Sequence, residues 1–216
     1  MELIRVKLAW INPTVKEVPG VKNFNVIEEN LNNYFKTIAH KDTTVTIRNL
    51  PKSTNSVRSF YGEFLNNWFL VEEAIKLEKE GFDGIIIGCF PDPGLFELRE
   101  ILNIPVIGLG ESAILTSLMI GYKFAIVSVD DDINPNMERS LMHYGVRDRA
   151  IYRPIRAVKP PITAKDDVEG YSDPFKSIIP RFEDVAKECI NDGAEVIITG
   201  CGYIGPMLML HGYKEI

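Results

Sequence analysis

The sequence has little cysteine, little histidine and no long apolar run. Three cysteines in 216 residues, Cys89, Cys189 and Cys201, are too few and too widely spaced for a disulfide framework. That points to a reducing, cytoplasmic setting and leaves any special role for cysteine to chemistry. The longest apolar stretches, such as Ile85 to Ile87 and Phe124 to Val129, are strand-sized, well short of the roughly 20 residues a membrane span needs. Met1 to Lys7 lacks the apolar core of an export signal, so no membrane partner is expected. Basic residues are in deficit, 24 Lys plus Arg against 30 Asp plus Glu for a net charge of −6, which excludes a nucleic-acid binder that works through a basic surface. His40, His143 and His211 stand apart with no metal-ligand spacing, and Asp130-Asp131-Asp132 ahead of Asn134-Pro135 reads as a solvated turn and helix cap. No metal is expected.

What is present is an alternation of β-rich runs with segments of helical period, the pattern of a parallel α/β architecture. Strands are predicted at about 4–11, 43–49, 84–88, 105–108, 123–129, 150–154 and 195–199. Phe64, Trp68, Val71 and Ile75 recur at intervals of four, three and four, on one face of a helix ending near Gly81. Phe182, Val185 and Cys189 do the same before Gly193; such a stripe reads as core-facing, making Cys189 a small buried hydrophobe. Residues 156–177, rich in Pro, Asp and Lys, read as a long irregular loop and a candidate lid.

The chain also repeats itself. Gly81, Asp83, Ile85, Ile86, Gly88 and Cys89 recur 112 positions later as Gly193, Glu195, Ile197, Ile198, Gly200 and Cys201, and Lys7-Leu8-Ala9 is echoed by Lys123-Phe124-Ala125. The expected fold is two similar three-layer α/β/α lobes of flavodoxin or Rossmann-like type, with parallel sheets, related by a pseudo-two-fold with a cleft between them. The lobes are placed at residues 1–110 and 111–205, with residues 206–216 a C-terminal helix. Both Gly-Cys pairs then sit at the carboxyl end of a parallel strand, the edge where open α/β sheets bind ligands. Asp92 and Pro93 after Cys89, and Pro206 after Cys201, suggest helix starts beside both thiols, which would favour thiolate. Two facing thiols suit a stereoinversion: one, as thiolate, takes a proton from a carbon acid while the other returns one to the opposite face.

Four segments carry a family likeness: Gly88-Cys89-Phe90-Pro91-Asp92-Pro93-Gly94-Leu95, Ile104 to Ala113, Gly200-Cys201-Gly202, and Ile11-Asn12-Pro13. Together they resemble the hydantoin racemase branch of the aspartate/glutamate/hydantoin racemase superfamily, in order and over nearly the whole chain. The resemblance implies a cofactor-independent racemase or epimerase acting alpha to a carbonyl, on hydantoins, related ureides or amino acids. It implies Cys89 and Cys201 as the acid/base pair, and a substrate held by Asn12, Thr14, Phe90, Ser128, Gly202 and Tyr203. The chain ends at Ile216, where the family normally adds a further strand and helix. A homo-oligomer is the general expectation for such an enzyme.

Other readings compete. Another carbon-acid reaction of the same superfamily, isomerisation or decarboxylation, is one. A nicotinamide-dependent oxidoreductase is another, since Gly108-Leu109-Gly110-Glu111-Ser112-Ala113 follows an apolar strand, opens a helical segment and is trailed by Asp130 about 20 residues on. A two-lobed binding module without catalysis is the third.

Overall fold

The computed structural model describes residues 5–54 and 57–213. The N-terminal edge of the first predicted strand and the last three residues of the C-terminal segment lie outside them. The order is β1 (Val6–Asn12), α1 (Asn25–Ile38), β2 (Thr43–Asn49), α2 (Phe60–Lys79), β3 (Gly84–Ile87), α3 (Leu95–Ile101), β4 (Val106–Gly108) and α4 (Leu109–Ile120). Then follow β5 (Phe124–Ser128), α5 (Asn134–His143), β6 (Ala150–Ala157), α6 (Ala164–Ser172), α7 (Ile178–Asn191), β7 (Val196–Thr199) and α8 (Ile204–Leu210).

All pairings are parallel, in one sheet of order β2-β1-β3-β4 and another of order β6-β5-β7. The sequence echo is a structural one. Leu8 pairs with Gly84 as Phe124 pairs with Val196, and Asp83 N donates to Lys7 O at 2.8 Å as Glu195 N donates to Lys123 O at 2.8 Å. Gly81 and Gly193 end the preceding helices with φ of +80° and +95°, the left-handed conformation that glycine adopts at least cost. Central β5 is buried along its whole length, as a strand covered on both faces must be.

Each sheet has its own apolar core, Ile11, Leu70, Ile85 and Leu98 in the first and Phe124, Ile126, Met137 and Leu141 in the second. A further core joins the lobes, packing Trp10, Leu31 and Phe35 with Val127, Phe182, Cys189 and Met207. Cys189 is fully buried there, as its place in the stripe of α7 predicts.

Two expectations are corrected. Only half of the Phe64, Trp68, Val71, Ile75 stripe faces the core: Val71 and Ile75 pack, partly buried, against it, but Phe64 is 74% and Trp68 67% exposed, and Leu70, Ala74 and Leu77 make the fully buried face of α2. This helix carries apolar residues on both sides, so periodicity alone does not find the centre of the buried face. Residues 156–177 are not an irregular loop. β6 runs on to Ala157, and α6 begins with a capping box in which Thr163 Oγ1 accepts from Asp166 N and the Asp166 carboxylate accepts from Thr163 N.

Candidate active site

Strands β3 and β7 deliver Gly88-Cys89 and Gly200-Cys201 to the same end of the molecule. Glycine is required at both turns by close approach: a Cβ on Gly88 would lie 2.2 Å from Trp10 Nε1, and one on Gly200 2.9 Å from Ile126 Cγ2. The turns also abut one another, since a Cβ on Gly202 would sit 2.9 Å from Gly88 O. Between them is a cavity of about 230 Å³ with Cys89 and Cys201 both on its wall.

Of the other residues the resemblance singles out, Thr14, Phe90, Gly202 and Tyr203 line this cavity. Asn12 and Ser128 do not. Asn12 is buried one layer below, accepting from Trp10 Nε1 at 2.7 Å and donating to Asn49 Oδ1 at 2.9 Å. Ser128 is fully buried, with its hydroxyl on Asn134 Oδ1 at 2.5 Å, and Val129 and Ile133 face the cavity instead. Sequence reasoning missed Arg58 and Asp167, which both line it. Arg58 donates to Asp130 Oδ2 at 2.6 Å and to Ile162 O at 2.9 Å, tying the segment before α2 to the second lobe. Asp167 lies in the first turn of α6, where the Thr163-x-x-Asp166 capping signature was the signal that could have placed it.

Electrostatics correct the expectation of a ready thiolate. Burial pushes both thiols up, Cys201 to about 12 and Cys89 further. Cys201 and the carboxylates of Asp92 and Glu63 raise Cys89 further, and Asp167 raises Cys201. Opposing this, the N–H of Phe90 favours the Cys89 thiolate, and those of Tyr203 and Ile204, with Arg58, favour that of Cys201. The helices α3 and α8 are short, seven residues each, and α3 opens at Leu95 with Gly94 as its cap, two residues later than Asp92-Pro93 suggest. Their ends do not outweigh desolvation.

Asp92 does something else. Its carboxylate accepts from Gly110 N at 2.9 Å, Glu111 N at 2.6 Å and Tyr144 Oη at 2.8 Å, capping α4 from another loop. Cβ positions on Gly108 and Gly110 would meet Asp92 and Phe90 O, at 2.7 and 1.9 Å. The first-turn amides that a pyrophosphate would need are thus already occupied by a carboxylate, which removes the structural basis of the nicotinamide reading. Among the described residues no group of three or more His, Cys, Asp and Glu is placed to hold a metal, and no helix is long and apolar enough to cross a membrane.

Residues 26–210 match the Asp/Glu/Hydantoin racemase family. A hydantoin racemase of Pseudomonas sp. (strain NS671) is 30% identical over 166 residues, 77% of this chain and 64% of that protein. One of Rhizobium meliloti is 27% identical over 164 residues, 76% of this chain and 65% of that protein. The chain therefore spans about two thirds of the length of these relatives. Allantoin racemase from Klebsiella pneumoniae has the same fold, with a TM-score of 0.79 at 21% identity over 95% of this chain and 78% of that one.

Proposed function

This chain belongs to the Asp/Glu/hydantoin racemase family, and on that premise we propose that it is a cofactor-independent racemase or epimerase of small carbon acids, with Cys89 and Cys201 as opposed acid and base. The observation that carries the reading is the presence of both thiols, from equivalent strand ends of the two sheets, on the wall of one cavity. The relatives named as hydantoin racemases make 5-substituted hydantoins and related ureides the first substrate class to consider.

In this mechanism the substrate's acidic C–H lies between the sulfurs. The thiolate on one side removes the proton, the electron pair delocalises into the adjacent carbonyl, and the thiol opposite delivers its own proton to the other face. The sulfurs exchange protonation states in each turnover, and the reverse reaction uses the same pair in the opposite roles. Cys201 disfavours ionisation of Cys89, so the pair does not ionise twice, and the thiolate that starts each turnover is a minor form drawn from two neutral thiols. Backbone N–H groups of the two turns, at Phe90, Gly202 and Tyr203, are the donors proposed to stabilise the enolate-like charge. Thr14 completes the wall with Tyr203, whose side chain hydrogen-bonds with it. Asn12 and Ser128 are given positioning roles beneath the cavity.

The lobe division at residues 1–110 and 111–205, with residues 206–216 appended, is kept as part of this proposal, as are a cytoplasmic location and a homo-oligomeric state supported by the exposed Phe64 and Trp68. The substrate class is tested with single enantiomers of a 5-alkyl hydantoin, allantoin and aspartate, following optical rotation. Decay of rotation on the ureides alone is the expected result; decay on aspartate alone would move the assignment to amino acids, and constant rotation on all three would refute the activity.

A further inference from the structure

Asp167 is the one acidic side chain of the cavity wall without an assigned task. It is 8% exposed and its Oδ1 has no hydrogen-bond partner among the described residues. The charged groups around it are engaged elsewhere. Asp166 is held by Thr163 and by Arg181 at 2.6 Å, and Arg58 reaches Asp130 and Ile162 O. A buried acceptor kept bare in a largely apolar wall is a liability for folding alone, and it gains most from a ligand that brings a donor. On the same cavity wall Val57, Ile133 and Ile162 offer no polar side chain, so they suit a hydrocarbon substituent.

We propose that Asp167 is the specificity-determining residue of this site: its carboxylate accepts a hydrogen bond from an amide-type N–H of a cyclic ureide while the apolar wall takes the substituent on the reacting carbon. The proposal rests on the racemase reading for its substrate class. It assigns Asp167 no proton transfer, only recognition. A carboxylate in the wall also disfavours a ligand that turns its own carboxylate toward α6, which selects ring N–H over an open-chain acid in that orientation.

The test uses the full chain, one enantiomer of 5-isopropylhydantoin and its N1-methyl and N3-methyl derivatives, with calorimetric Kd and racemisation kinetics for wild type, Asp167→Ala and Asp167→Asn. Asp167→Asn keeps the shape of the side chain and guards against a folding defect in the alanine variant. For the parent hydantoin, Asp167→Ala is expected to raise Kd and KM by about 10- to 100-fold, the scale of one hydrogen bond to a charged group, with kcat nearly unchanged. One of the two N-methyl compounds, having already lost the contact, is expected to bind wild type and Asp167→Ala alike. Equal losses on all three ligands, or no loss on the parent, would overturn the assignment. Wild type that shows this binding pattern but racemises nothing would leave Asp167 assigned and remove the racemase reading; racemisation indifferent to Asp167 would do the reverse. Failure of wild type to bind any of the three would overturn both.

Discussion

Asp167→Asn should stabilise the free protein, and by an amount that depends on pH. Burial raises the Asp167 carboxyl from 3.8 to about 7, with Asp166 adding to the shift and Arg58 and Arg181 only partly opposing it. A folded pKa above the unfolded one means that stability is greatest below the unfolded value and is lost as pH rises through the folded one. Ionising this group in place is therefore unfavourable by roughly 4 kcal/mol at pH 8. Asparagine escapes that cost but leaves an amide with unmet hydrogen bonds in the same wall, which costs about 1–3 kcal/mol. The net gain expected at pH 8 is about 1–3 kcal/mol. At pH 4 the wild-type side chain is close to neutral in the folded state, so most of the roughly 4 kcal/mol difference vanishes and the unmet amide bonds leave the variant less stable by about 1–2 kcal/mol. Thermal melts of ligand-free protein from pH 4 to pH 8 read this directly, at about 2–4 °C per kcal/mol for a chain of this size. Melting curves of variant and wild type that run parallel across the range would refute the idea of an uncompensated buried carboxylate.

Because burial holds both thiols up, kcat/KM for racemisation should climb about tenfold per pH unit from pH 6 to 8.5; a plateau from pH 7 would mean that a thiolate is already formed in the free enzyme. Gly202→Ala would force a Cβ to 2.9 Å from Gly88 O and 3.2 Å from Leu109 Cδ2. It should cost about 1–3 kcal/mol of stability and at least about 100-fold in kcat/KM, and a fully active alanine variant would contradict the close contact of the two turns. Replacing Phe64 and Trp68 together by Glu should lower the solution mass measured by light scattering while changing the melting temperature little, since both side chains are exposed. An unchanged mass would exclude this stripe as a self-association face.

The strands and the doubling were legible because they rest on local pattern: apolar runs bounded by turn residues, and Gly-x-Asp or Glu followed by Ile-Ile-x-Gly-Cys appearing twice. The topology preserves that repeat down to matched backbone bonds at Lys7 and Lys123. What was not legible depends on distance in three dimensions. Asp92 sits where a helix cap belongs, yet its carboxylate serves α4, 18 residues on. Asn12 stands at a strand end like a ligand-binding group, but Trp10 and Asn49 claim it. The exposed side of α2 is as apolar in sequence as its buried side, and only packing distinguishes them. Asp167 was hidden by the Pro- and Lys-rich character of its segment, although the capping box marks a helix there. The upward push on both thiols was not legible because burial, its largest cause, has no signature in a linear motif.

The central claim is that two thiols work from opposite faces of one carbon. The most direct test is proton NMR in heavy water of single-enantiomer 5-isopropylhydantoin with wild type, Cys89→Ser and Cys201→Ser, following loss of the proton at the reacting carbon together with optical rotation. Wild type is predicted to exchange the proton and lose rotation, with deuterium in the enantiomer formed, and each serine variant to lose racemisation by at least about 1,000-fold. Racemisation at the wild-type rate in either variant would contradict the two-thiol mechanism.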